Sequence, residues 1–225
     1  MRKVAALYVD MKRGPYAKME GVAPVGLPYD ARGYDGPYPI VAHPSCAPWG
    51  RLAAMHGHKE TSVRDGDKSC GPIAVQQVRA FGGVLEHPQG SSLWKFMEMP
   101  PPGNGVDKWG GYTISVNQCD WGHKCRKPTW VYIVGVHPSD LPPMPHPGTP
   151  THSMGVKREK RVYPELPKSQ RHLTPPDFAD WLVEVARRSR LTLPSTRANV
   201  SRRDIMSDEE ATCSPTSKHR RSRPP

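Results

Sequence analysis

Apolar residues in this chain fall into five short runs, separated by polar, glycine- and proline-rich stretches. The runs "KVAALYV" (3–9), "YPIVA" (38–42), "GVLEH" (83–87), "YTISVNQ" (112–118) and "TWVYIVGV" (129–136) have the length and the Val, Ile and Tyr content of strands. The second and the last are almost continuously apolar, which predicts strands covered on both faces. Between the second and third, "CGPIAVQQVRAFGG" (70–83) spaces Ile73, Val75, Val78 and Phe81 as a helix does. Pro72 suits its first turn, and Gly82 and Gly83 stop it. "GSSLWKFMEM" (90–99) predicts a shorter helix capped by Ser91 or Ser92. Strands alternating with helices predict an α/β layered sheet over residues 1–137.

From Pro138 the texture changes. Residues 138–170 are proline-dense and predict a connection without regular core elements. A helix is expected within 171–193, in "TPPDFADWLVEVARRSR" (174–190). Thr174 is its expected N-cap, Asp177 and Asp180 sit near its positive end, and Phe178, Trp181, Leu182 and Val185 share one face. Residues 194–225 read as a disordered basic tail, closing on "KHRRSRPP".

Composition narrows the classes. The chain has 225 residues and a formal net charge of +11, which favours an anionic partner, with DNA foremost. No run approaches the ~18 apolar residues that a membrane span needs. The basic N-terminus is followed by only "VAALYV" before charge resumes at Asp10, so it reads as a first strand rather than a signal peptide. Five cysteines without small-scaffold spacing predict reduced thiols in a cytoplasm.

Ligands of α/β sheets collect at the carboxyl ends of the strands. Cys46, in "PYPIVAHPSCAPWG", lies just beyond the second run, and Glu86 ends the third. Arg126 and Lys127 lie on the loop before the last run. A thiol, a carboxyl group and a cationic pair are thus expected at one crevice. Taken alone, Cys46 is open to three readings: a nucleophile, a metal ligand or a small buried side chain in a turn. For a metal, "CDWGHKC" brings Cys119, His123 and Cys125 close in sequence, with Cys70 or His87 as a fourth ligand. No second Cys-x-x-Cys half accompanies them, and no metal site is expected.

This ordered set resembles the DNA (cytosine-5) methyltransferases, especially small phage-encoded relatives. Pro44-Ser45-Cys46 resembles the family's Pro-Cys loop, with serine rather than proline before the cysteine. Glu86-His87-Pro88 stands where the family has Glu-Asn-Val, and residues 122–135 resemble its Gln-x-Arg-x-Arg segment. "RHLTPPDFADWL" (171–182) resembles the Arg-x-Leu-Thr-Pro motif that opens its late helix. The resemblance spans roughly residues 4–190 and implies a compact, truncated Rossmann-like methyltransferase sheet.

It further implies S-adenosylmethionine as cofactor, DNA as substrate and the host cytoplasm as location. Cys46 would be the nucleophile adding to cytosine C6, Glu86 the proton donor to N3, and Arg126 or Lys127 an electrostatic clamp. Asp10 and Asp30 would be the cofactor-side acids. The sequence departs from the family after the first strand, where no Gly-x-Gly follows. Between Asp10 and Asp30 it offers too little chain for the usual second strand. The alternative that stays open is a non-catalytic nucleic-acid-binding protein retaining the fold.

Overall fold

Six strands form one mixed sheet: β1 (Val4–Leu7), β2 (Val22–Val25), β3 (Ile40–Ala42), β4 (Gly83–Pro88), β5 (Tyr112–Asn117) and β6 (Pro128–Val134). Their spatial order is β2-β1-β3-β4-β6-β5. The computed structural model describes residues 1–26, 29–50, 53, 68–155, 158–160 and 162–190. Strands β1 to β4 pair in parallel, and β6 runs antiparallel to both β4 and β5. The basic tail expected from residue 194 onward lies outside the described residues. Residues 1–193 group as one compact unit.

Three helices accompany the sheet: α1 (Cys70–Phe81), α2 (Leu93–Phe96) and α3 (Pro176–Arg187). Helix α1 covers one face, packing Ala74, Val75 and Val78 against Leu7, Ile40, Ala42, Leu85 and Val134. Helix α3 covers the other, packing Phe178, Leu182 and Val185 against Val4, Ala6, Val41, Val84 and Ile133. Burial on both faces explains why β1 and β3 are apolar at every position. The α/β layering expected from the sequence is therefore present. Among the described residues no helix is long and apolar enough to cross a membrane.

Three local expectations need correction. The interval between Asp10 and Asp30 does hold a second strand, β2, paired with β1 over four residues. It was hidden because Pro24 interrupts "VAPV"; at the sheet edge a proline removes no ladder bond that an outer neighbour needs. Helix α3 starts at Pro176 and is not capped by Thr174; its N-cap residue is Pro175, with ψ at 140°. Each proline drives the residue before it into extended backbone, so Thr174 and Pro175 cannot join the helix. Helix α2 keeps only four residues, because Glu98 turns to φ 50° and ends it.

The proline-dense connection forms 3-10 turns and one isolated bridge, Ser153 to Glu165. At the start of β4, Gly83 has φ +110°, and a Cβ there would lie 2.0 Å from the Ile40 carbonyl oxygen. The close seating of β4 on β3 therefore requires glycine.

Candidate active site

Alternation along two neighbouring strands builds the centre of the site. Val41 and Val84 face α3 while Ala42 and Leu85 face α1. The register pairs Ala42 with Leu85, so the next residues, His43 and Glu86, come side by side on the α3 face. The His43 N–H donates to the Leu7 carbonyl, extending the ladder with β1 and holding the ring in place. Its Nδ1 lies 3.0 Å from Glu86 Oε2, and both side chains are nearly buried.

Two further groups enclose this pair. Tyr16, from the 3-10 turn Pro15–Lys18 after β1, places its hydroxyl 2.6 Å from His43 Nε2. Gln118, following β5, donates from Nε2 to Glu86 Oε1 at 2.9 Å and to Thr129 Oγ1 at 3.1 Å. Both carboxylate oxygens are thereby engaged. Burial pushes the Glu86 carboxyl up, but the His43 hydrogen bond and the charges of His43 and Lys127 outweigh it and hold it at about 2. Tyr16 is driven well above the ordinary phenol range by burial, then by the charges of Glu86 and Asp180.

Cys46 leads into a 3-10 turn, Ala47–Trp49, beyond β3. The residue is exposed at the surface. Its thiol is nevertheless held above the ordinary thiol range. Protein crowded on its inner side is the first cause and the Glu86 charge the second, while Lys127 pulls the other way. Lys127 is itself lowered by desolvation, partly restored by Glu86 and Cys46. Its Nζ donates to the Leu173 carbonyl at 3.2 Å, and its backbone N–H donates to Asn117 Oδ1 at 2.9 Å. Cys46, Glu86 and Lys127 thus act electrostatically on one another.

Arg126 stays apart. It is exposed, and the thiol that feels its charge is Cys119. The β-strand beginning at Pro128 turns alternate residues to opposite sides, and the adjacent Lys127 is the one turned inward.

Neither cofactor-side acid faces this group. Asp10 Oδ1 accepts from the backbone N–H groups of Lys12 and Arg13, which lower its carboxyl. Asp30 caps the 3-10 turn Ala31–Gly33 and is gripped by the Arg32 guanidinium, the first cause of its lowered carboxyl. Beside the β1 loop lies a cavity of about 430 Å³, lined by Lys12, Arg13, Gly14, Pro15, Lys18, Met19, Pro176 and Asp180. Its walls are the loop and 3-10 turn that follow β1 and the start of α3.

On the opposite face His87 is 1 % exposed, edge-on to Trp94. It lies beneath the Ser45 backbone, and neither ring nitrogen has a hydrogen bond of good geometry. Desolvation holds it down at about 4. Cys119 and Cys125 are buried free thiols, both raised first by burial. Among the described residues no three His, Cys, Asp or Glu side chains are grouped to hold a metal ion.

His43, Tyr16 and Gln118 were not singled out in the sequence. His43 left one signal: it continues the alternation of β3, two residues after Val41. Tyr16 and Gln118 left none, since each arrives from a separate loop. Comparison with protein-family models and with curated proteins finds no match to this chain.

Proposed function

We propose that this protein is a DNA cytosine-5 methyltransferase-like enzyme built on a compact Rossmann-like sheet. What supports the reading is the mutual electrostatic influence of Cys46, just beyond β3, Glu86, within β4, and Lys127, at the entry to β6. Cytosine C5 is a weak nucleophile until sulfur adds at C6 and breaks the aromatic ring. The Cys46 sulfur would make that bond, while Glu86 answers the charge developing at N3. Lys127 lowers the thiol and opposes negative charge on the base. A flipped or single-stranded cytosine is the substrate form that can reach such a crevice.

The chemistry supplied by bound S-adenosylmethionine is an electrophilic methyl group. The cavity beside the β1 loop suits its mixed character. Lys12, Arg13 and Lys18 would take the α-carboxylate, Asp180 the ammonium, and Pro15, Met19 and Pro176 the apolar adenine. The free thiols at Cys46, Cys119 and Cys125 accord with a reducing host cytoplasm.

The test is methyl transfer from labelled S-adenosylmethionine to cytosine-containing DNA by the purified full chain. Transfer is expected from the wild type and not from Cys46→Ala. No transfer by the wild type, or undiminished transfer by Cys46→Ala, overturns the reading.

A second reading, a non-catalytic nucleic-acid-binding protein, is favoured by one observation: the Cys46 thiol is raised rather than lowered in the free protein. It predicts DNA binding that weakens steeply with salt, survives Cys46→Ser and is never accompanied by transfer.

A further inference from the structure

We propose that His43 is the proton-carrying residue of this site, with Tyr16, His43 and Glu86 forming a relay through which Glu86 hands a His43 proton to the ring nitrogen of a bound pyrimidine. This rests on the base-directed reading of the Cys46 crevice.

Glu86 cannot be the stored acid. It is ionised, and both of its oxygens already accept hydrogen bonds, from Gln118 and His43. Gln118 carries no ionisable proton. Tyr16, from the β1 loop, keeps its proton, since Glu86 and Asp180 of α3 both disfavour a phenolate. Lys127 is turned to the Leu173 carbonyl. His87, from β4, is held neutral on the other face of the sheet. What remains is His43, with one ring nitrogen against a carboxylate oxygen at 3.0 Å and the other against a phenol oxygen at 2.6 Å.

The Cys46 thiol, held above the ordinary range, first releases its proton to solvent. As the Cys46 thiolate forms its bond to C6, the C5–C6 π electrons move into the ring and negative charge develops at N3. Protonated His43 gives its Nδ1 proton to Glu86 Oε2. That oxygen has a second lone-pair direction, through which Glu86 delivers a proton to N3. Glu86 ends as it began, ionised. His43 ends neutral, its Nε2–H donating to the Tyr16 oxygen. Reversal returns the proton and releases the thiolate, so the step needs neither a methyl donor nor an oxidant.

While the adduct lasts, C5 is an enamine carbon that takes a deuteron from solvent and gives its own proton back to solvent before the thiolate leaves, so the addition is read without the cofactor as hydrogen–deuterium exchange at C5. The full chain is incubated in D2O with a short cytosine-containing single-stranded oligonucleotide, and label is followed by mass spectrometry across pH. The wild type is expected to exchange and Cys46→Ser is not. His43→Asn keeps a donor toward Glu86 but carries no titratable proton; it should lower the rate roughly 100-fold and flatten the pH profile. Tyr16→Phe removes the hydroxyl 2.6 Å from His43 Nε2 and should lower the rate several-fold without abolishing exchange. Wild-type rate and profile in His43→Asn would overturn the relay alone. If that variant does not fold, a wild-type rate in Tyr16→Phe does the same. No exchange by the wild type overturns both the relay and the base-directed reading.

Discussion

His43 and Glu86 stand next to each other on adjacent parallel strands, His43 Nδ1 3.0 Å from Glu86 Oε2, with the strand register rather than any loop holding them there. The pair joins what the β3 loop delivers, Cys46, to what β1 and β5 deliver, Tyr16 and Gln118. Disturbing it should be felt in chemistry and in stability alike.

Stability should respond first. Glu86→Ala leaves His43 and Gln118 facing a cavity with no acceptor, and breaking a buried pair from one side costs roughly 3–5 kcal/mol. Urea unfolding of the variant should show a midpoint lowered accordingly, with an unchanged slope. A loss below about 1 kcal/mol would mean that the carboxylate is hydrated.

Acid should weaken the protein across two adjoining pH windows. His87 sits at about 4 against an ordinary 6.5, so the folded state binds fewer protons than the unfolded one between those values, and stability falls as pH drops through that window. Glu86 sits at about 2 against an ordinary 4.5. Its contribution is fully present above pH 4.5 and is lost as pH falls toward 2. Melting temperature measured from pH 7 to 3 should decline throughout. His87→Phe should flatten the upper part of that decline and leave the lower part intact.

Thiol reactivity reports on the same charges. Alkylation of Cys46 by iodoacetamide, followed by peptide mass spectrometry at pH 8, should be slower than for an ordinary exposed thiol. Glu86→Gln removes a negative neighbour and should speed it several-fold; Lys127→Ala should slow it further. Arg126→Ala should leave it unchanged, since that charge acts on Cys119. An effect of Arg126 equal to that of Lys127 would contradict the arrangement.

The late helix is held by an aromatic cluster. Phe178 is fully buried, its ring 4.9 Å from that of Trp121 and 6.2 Å from that of Trp181. Phe178→Ala should cost about 3–5 kcal/mol. It should also weaken the cavity beside the β1 loop, which Pro176 and Asp180 help to line. A variant that keeps its melting temperature would show that α3 does not depend on this ring.

Much of the fold was legible along the chain. The near-continuous apolar runs of β3 and β6 announced strands buried on both sides, and "AVQQVRAF" announced α1, because the periods 2 and 3.6 are written in neighbouring residues. What misled was local punctuation. Pro24 hid β2, since a proline reads as a break until the strand is known to lie at an edge. Two consecutive prolines moved the start of α3 past the threonine that looked like its cap.

Composition and spacing along the chain set the layered α/β class, the arrival of Cys46 just beyond a strand and of Glu86 within the next, and the basic balance of the protein. Those are properties of composition and of spacing within single elements. It took the folded arrangement to show that Lys127 rather than Arg126 turns inward. That arrangement also decided that Asp10 and Asp30 serve their own turns, and that Glu86 is held ionised between His43 and Gln118. The physical reason is that a carboxyl group's protonation state follows from its neighbours within a few ångströms. Here those neighbours come from β3, the β1 loop and the end of β5, brought together by strand register across the sheet and by no spacing along the chain.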